Sequence, residues 1–161
     1  MERISLGLPP YVGMDASLNA AAQQAAVKQG DPYPPANWAS TYFAGTWGSA
    51  WFGGWSGIGT LAADYGWLYN DGWGGPNGTS NYACTSATSK GCWAHRDELL
   101  GQTDYSTPNG ATWGVGLNCT TCVVGAGSAQ GDASTTVLVA KPSVPDSRLH
   151  LTFDVGADCL L

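Results

Sequence analysis

The sequence predicts an α+β layer fold, with helices first and antiparallel strands late. Three observations lead there. The run L-N-A-A-A-Q-Q-A-A-V-K-Q at 18–29 is dominated by strong helix formers. Beyond about residue 112 the chain turns β-branched, alternating or apolar between Gly, Asp and Pro turns. No repeat or composition break divides the halves, so residues 1–161 are expected to form one domain.

Taken in order, L-P-P-Y-V-G at 8–13 leads in. Asp15 or Ser17 is placed to cap the helix over 18–29, and Gly30 with Pro32 stops it. Leu18, Ala21, Ala22, Ala25 and Ala26 recur at i, i+3, i+4, i+7 and i+8, a face of small residues suited to close packing. Residues 31–58 are rich in Pro, Gly and Trp; they read as extended chain and then as a glycine-rich loop packing its indoles. Gly54-Trp-Ser56-Gly-Ile58 lacks the last glycine of a nucleophile elbow, so Ser56 is set aside. A second helix is expected over 60–69, broken by N-D-G-W-G-G-P-N-G, and a short third one over 93–100. Strands follow at 112–117, 122–129, 135–140 and 149–155, with a hairpin connection at 127–132.

Charged residues make up 11% of the chain, against about a quarter in most globular proteins. A surface of small polar residues instead of Lys and Glu points to a secreted, extracellular protein. A net charge of −6, with six scattered Lys and Arg, argues against nucleic acid or an anionic membrane as partner. No apolar run reaches the roughly 20 residues a membrane span needs. No signal peptide is visible, yet E-R-I-S-L-G-L-P-P reads as the edge of a domain already begun, as though an export signal had preceded it. The five cysteines suit an oxidising compartment, and proximity pairs Cys84 with Cys92 and Cys119 with Cys122, leaving Cys159 over. Two sequons, at Asn77 and Asn118, carry little weight.

Chemistry is densest in C-T-S-A-T-S-K-G-C-W-A-H-R-D-E-L-L-G, 84–101, which holds one of two histidines. On a helix His95 and Glu98 are i, i+3 neighbours. A carboxylate beside an imidazole raises its basicity and fixes its tautomer, as a general base requires. Asp64 or Asp71 could approach from the preceding helix. The candidate catalytic residues are therefore His95, Glu98 and Asp64. Against this stands a structural role, with His95 largely buried beside 47–59 and serving stability more than turnover. A binding role rests on the eight tryptophans, whose rings offer flat surface to glycans; Trp47, Trp51, Trp55, Trp67 and Trp73 are the candidates.

The opening E-R-I-S-L-G-L-P-P-Y-V-G-M-D-A-S-L-N-A-A-A-Q-Q-A-A, the pair L-A-A-D-Y-G-W-L-Y-N-D-G and G-C-W-A-H-R-D-E-L-L-G, and the strand C-T-T-C-V-V-G-A-G-S-A stand in one order. Together they resemble the bacterial SCP-like branch, actinobacterial type, of the CAP superfamily of cysteine-rich secretory, antigen 5 and pathogenesis-related proteins. The resemblance covers about 2–141 and leaves 142–161 as a C-terminal strand extension. It implies an α-β-α sandwich, a small antiparallel sheet flanked by helices. It also implies a central cavity, furnished in the family with two His and two acids and sometimes a divalent metal. Here Ala25 stands where the first-helix His would fall, no acid stands near Trp47, and Glu98 replaces the usual Asn after the H-R pair. A degenerate cavity follows, with no cofactor and no bound metal expected. The implied function is an extracellular binding or accessory module for a glycan, cell-wall or lipid-like ligand, with a place in a longer secreted chain as a further expectation. The alternative is a weak hydrolase, protease- or esterase-like, centred on His95 with a nearby carboxylate.

Overall fold

The computed structural model describes residues 2–37, 43–54, 57–78, 81, 84–89, 91–101, 105–106, 112–113, 121–131, 133–143, 149 and 151–154. Their elements are α1 (Glu2–Ser5), β1 (Gly13–Asp15), α2 (Ala16–Lys28), β2 (Phe43–Gly53), α3 (Gly59–Tyr69), α4 (Ala94–Leu100), β3 (Tyr105–Ser106), β4 (Thr112–Trp113), β5 (Val123–Ala129), β6 (Ser134–Pro142) and β7 (Leu151–Asp154). Helices and strands share one α+β architecture, as expected.

Of the two candidate caps, Asp15 starts α2. Its carboxylate accepts from the amides of Ser17 at 2.9 Å and Leu18 at 3.1 Å, two of the donors a helix start leaves unpaired. The helix ends where Gln29 takes a left-handed conformation, φ 58°. Leu18, Ala22, Ala25 and Ala26 are buried on the face the spacing predicted. They meet Val123 and Leu138 at one end and the glycines of β5 at the other. A Cβ on Gly125 would lie 2.3 Å from the Leu18 backbone, and one on Gly127 2.4 Å from the Gln23 amide. Only glycine lets α2 come this near. The approach brings Thr136 Oγ1 to the Ala22 carbonyl at 2.7 Å and Ser134 Oγ to that of Ala26 at 2.6 Å. On the other side of β5, the amides of Ala126 and Ser128 donate to the side chains of Asn19 and Gln23, so the helix also closes an open stretch of strand.

Five strands make one sheet in the order β2-β6-β5-β1-β7. The sheet was expected to be antiparallel and is mixed: β1 runs parallel to β5, Met14 beside Val124, while its other partner β7 is antiparallel. The reason is connectivity. β1 feeds straight into α2, and a helix crossing a sheet face is the link that permits parallel neighbours. β5 and β6 form the expected hairpin, turned by Gln130 and Gly131, both left-handed. β3 and β4 pair separately; the rest of the strand expected at 112–117 lies outside the described residues.

Alternation along β6 separates two cores. Leu138 and Ala140 pack with Leu18 and Val123 under α2. Val137 and Val139 point the other way, where Val137 meets Ala50, Ala63, Trp67 and Leu99 under α3 and α4. The largest departure from expectation is β2. The stretch read as a glycine-rich loop is an eleven-residue edge strand paired with β6. Its residues alternate. Gly48, Ala50 and Phe52 face α3 and α4, with Phe52 edge-on to Trp67 at 6.3 Å. Trp47 and Trp51 face the other way, Trp47 against the α2 core and Trp51 Nε1 donating to Ser134 Oγ at 3.0 Å.

A methyl group forced between α2 and β5 should strain backbone on both sides, at about 1–3 kcal/mol. Gly125→Ala should therefore lower the melting temperature by about 3–10 °C for a chain of this size. Gly30→Ala, where a Cβ meets nothing within 4 Å, should melt like the parent. Calorimetric melts of both variants check this; equal melting would mean α2 is free to back away.

Candidate functional site

Seven residues make a helix too short to persist by itself, and α4 is held from both ends by distant side chains. At its start Trp93 is left-handed, φ 66°, and supplies no side-chain cap. The cap comes from Asp71, just past α3. One carboxylate oxygen accepts from the amides of His95 at 2.8 Å and Arg96 at 3.3 Å; the other accepts from the His95 ring Nδ1 at 2.8 Å. Asp71 is 2% exposed. Its negative charge sits where the helix dipole is positive. At the far end the Arg3 guanidinium donates to the Leu100 carbonyl and the Tyr11 hydroxyl to that of Leu99. Arg3 is itself held by the Pro9 carbonyl at 2.7 Å and by the Tyr11 ring, 4.5 Å away. Burial pushes the Tyr11 hydroxyl up to about 12, against the pull of Arg3.

The entry to α4 is pinned as well. Cys84 and Cys92 are disulfide-bonded, as their proximity predicted, with Cα atoms 4.4 Å apart. Cys122 is also disulfide-bonded; Cys119, its expected partner, lies outside the described residues. The Trp93 indole covers Gly72, where a Cβ would come within 2.3 Å of the ring. The Arg96 guanidinium lies 5.6 Å from that ring and donates to the Leu68 carbonyl. Arg96 thus fastens α4 to α3.

His95 was expected to be largely buried; its side chain is 31% exposed. With Nδ1 committed to Asp71, Nε2 is the nitrogen left for chemistry. Glu98, one turn on, is 5% exposed and runs alongside Gly48 of β2, whose Cβ would sit 3.1 Å from its Cγ. Burial pushes the Glu98 carboxyl up to about 8, with Asp31, Asp71 and Asp97 adding repulsion. Asp31, just after α2 and beside the buried Pro32, accepts from the Trp51 amide; desolvation raises it, while His95 and that amide pull it down.

The structure therefore brings together His95, Glu98, Asp71 and Asp31. The carboxylate on His95 is Asp71, not Asp64, which projects from the exposed side of α3. The reason is helical phase: Asp64 lies within α3, whereas Asp71 lies beyond its end and turns back under α4. Asp31 was not foreseen. It follows α2 in D-P-Y-P-P with no spacing to mark it, and its partner Trp51 lies on a strand that was not expected. Of the tryptophans, Trp67 is buried between α3 and the sheet. Trp47, edge-on to Tyr33 at 5.2 Å, is half-buried, as are Trp51 and Trp73. Trp55 lies outside the described residues. Among the described residues no three His, Cys, Asp or Glu side chains converge as a metal ion requires, and no helix is long and apolar enough to cross a membrane.

Compared with known proteins, the chain matches no family model, no curated protein and no solved structure.

The raised Glu98 pKa has a stability consequence. Between its ordinary value of 4.5 and about 8 the folded state binds the proton that the unfolded state has lost. Stability should then fall as pH rises through that window. Asp31, shifted the same way, adds slope of the same sign at the acid end. Glu98→Gln, isosteric and uncharged, should flatten the profile and melt above the parent at pH 8. Melting curves from pH 4.5 to 8.5 test this; parallel profiles for the two proteins would show that Glu98 is ionised throughout.

Proposed function

We propose that this is an extracellular CAP-type domain whose His95 acts as general base in a weak hydrolase, esterase- or protease-like. One observation carries the reading: a buried carboxylate fixes the orientation and tautomer of a half-exposed imidazole. Asp71 receives Nδ1–H, so Nε2 presents its lone pair outward. In this role Nε2 takes a proton from water as the water adds to the scissile carbonyl, and Asp71 stabilises the imidazolium that forms. The family reading is supported by H-R-D-E-L-L on a short helix behind a Cys-Trp pair. An extracellular setting is supported by the Cys84–Cys92 bond and the low charge content.

A second reading, glycan binding without catalysis, draws on the outer face of α3. There Tyr65 and Tyr69 are 59% and 48% exposed, with ring centroids 6.1 Å apart. Such rings offer apolar faces with wet polar edges, which suits sugars.

Assays on a panel of ester, peptide and glycan substrates separate the two. The hydrolase reading expects His95→Ala and His95→Gln to lose about 100-fold or more in kcat while still folding. A parent without activity on any of the panel, or variants as active as the parent, would sink it. Retention on immobilised glycan that Tyr65→Ala abolishes would then support the second reading.

A further inference from the structure

We propose that Asn77 is a site of spontaneous covalent modification, where the backbone amide of Gly78 closes on the Asn77 side chain and converts it to aspartate and isoaspartate. The inference is independent of the hydrolase and glycan readings, because the reaction needs only water.

The first argument is access. Asn77 is followed by glycine, the neighbour whose amide is least shielded because it carries no side chain. Pro76 and Asn77 are the central pair of a turn that the Gly78 amide closes onto the Gly75 carbonyl at 3.2 Å. Pro76, Asn77 and Gly78 are all exposed, so water and hydroxide reach the reacting atoms. The Gly78 amide has to leave the Gly75 carbonyl to react. That contact is at the long end of the hydrogen-bond range, and at an exposed loop tip local opening costs little. Hydroxide then removes the Gly78 N–H proton, and the nitrogen adds to Asn77 Cγ. The Cγ–Nδ2 bond breaks and Nδ2 leaves as ammonia. Water opens the resulting five-membered imide. Breaking its new N–Cγ bond gives aspartate; breaking the original peptide N–C bond gives isoaspartate, whose main chain runs through Cβ and Cγ. Ammonia leaves, water enters, and nothing is oxidised or reduced.

The second argument is contrast within the same loop. Asp71-Gly72 has the same spacing and could close the same ring. Asp71, however, is 2% exposed, and its carboxylate accepts from the His95 amide at 2.8 Å, the His95 ring at 2.8 Å and the Arg96 amide at 3.3 Å. The Trp93 indole covers Gly72. A carboxylate held in this way does not turn onto its own backbone. The fold therefore seals the pair that orients His95 and leaves Asn77-Gly78 open. A third pair, Asn109-Gly110, lies outside the described residues. The product is not neutral to the turn. Gly74 and Gly78 abut so closely that a Cβ on Gly74 would lie 1.7 Å from the Gly78 carbonyl oxygen, and one on Gly78 2.8 Å from that of Gly74. Isoaspartate at 77 adds a main-chain atom directly before this contact, whereas aspartate does not.

Incubating the folded protein at pH 8.5 and at pH 5.5 in water enriched in heavy oxygen, then mapping its peptides by mass spectrometry with fragmentation that distinguishes isoaspartate, tests the proposal. Residue 77 should lose ammonia and take up one solvent oxygen, faster at pH 8.5, as a mixture of aspartate and isoaspartate. Residue 71 should carry no isoaspartate. Both products add one negative charge to the net −6, so ion exchange separates them from the parent. The isoaspartate fraction should melt below Asn77→Asp, which makes the charge without the longer main chain. Asn77→Gln, whose ring closure needs six members, should stay unmodified. Asn77 left intact in the folded protein while a urea-unfolded sample converts it would overturn the proposal, because the turn would then protect it. So would isoaspartate at residue 71, or conversion confined to Asn109.

Discussion

The tertiary capping of α4 is the constraint on which the site depends. A seven-residue helix has only a few internal hydrogen bonds against the orphan groups at each end. Asp71 supplies the acceptor at one end, and Arg3 with Tyr11 supplies donors at the other. The charges follow the dipole, acid at the start and base at the finish. The same carboxylate that caps the helix also holds the His95 ring, so helix formation and imidazole orientation are one event. Removing Asp71 would cost both together, and fold and chemistry cannot be tuned separately at this point.

A second constraint sits on the other face of the sheet. Beyond the Leu18, Val123 and Leu138 cluster, α2 lies so close to β5 that alanine, glycine and backbone meet directly, knit by the hydroxyls of Ser134 and Thr136. Large side chains are displaced to the sheet edge and the opposite layer. There Trp47 and Trp51 flank β2, and Trp67 fills the space under α3. A chain with eight tryptophans and few charges can thus keep the later turns of α2 in direct contact with the sheet. Room for Glu98 comes from the same economy, through Gly48.

What the sequence made legible was local. Asp15 and the alanine spacing declared α2; β-branched runs declared β5 and β6; Cys-Trp followed by H-R-D-E-L-L declared α4 and its disulfide. β2 was hidden because three glycines and two tryptophans in eleven residues spell a loop by composition. Its period-2 alternation of bulky and small residues becomes informative only when the two faces have different neighbours. β1 is three residues long and takes its identity from β5 and β7, to which it is bound only in the folded chain. In the site, His95 and Glu98 were readable because they share a helix. Asp71 and Asp31 reach them by tertiary routes that no spacing encodes.

The position of β1 bears on how this protein acquires its fold. The strand leading into α2 lies between β5 and β7, strands contributed by the last third of the chain. Arg3 and Tyr11 likewise close onto carbonyls 97 and 88 residues away. Contact order is therefore high, and loop-closure entropy must be met before these contacts repay it. During synthesis β1 and α2 are made first, but β1 has no strand to pair with until β5 and then β7 follow near the end of the chain. Once β5 is in place, its register with β1 reaches only Val124, and the amides of Ala126 and Ser128 beyond that point donate to Asn19 and Gln23 of α2, so the helix covers a strand edge that would otherwise be open to another chain.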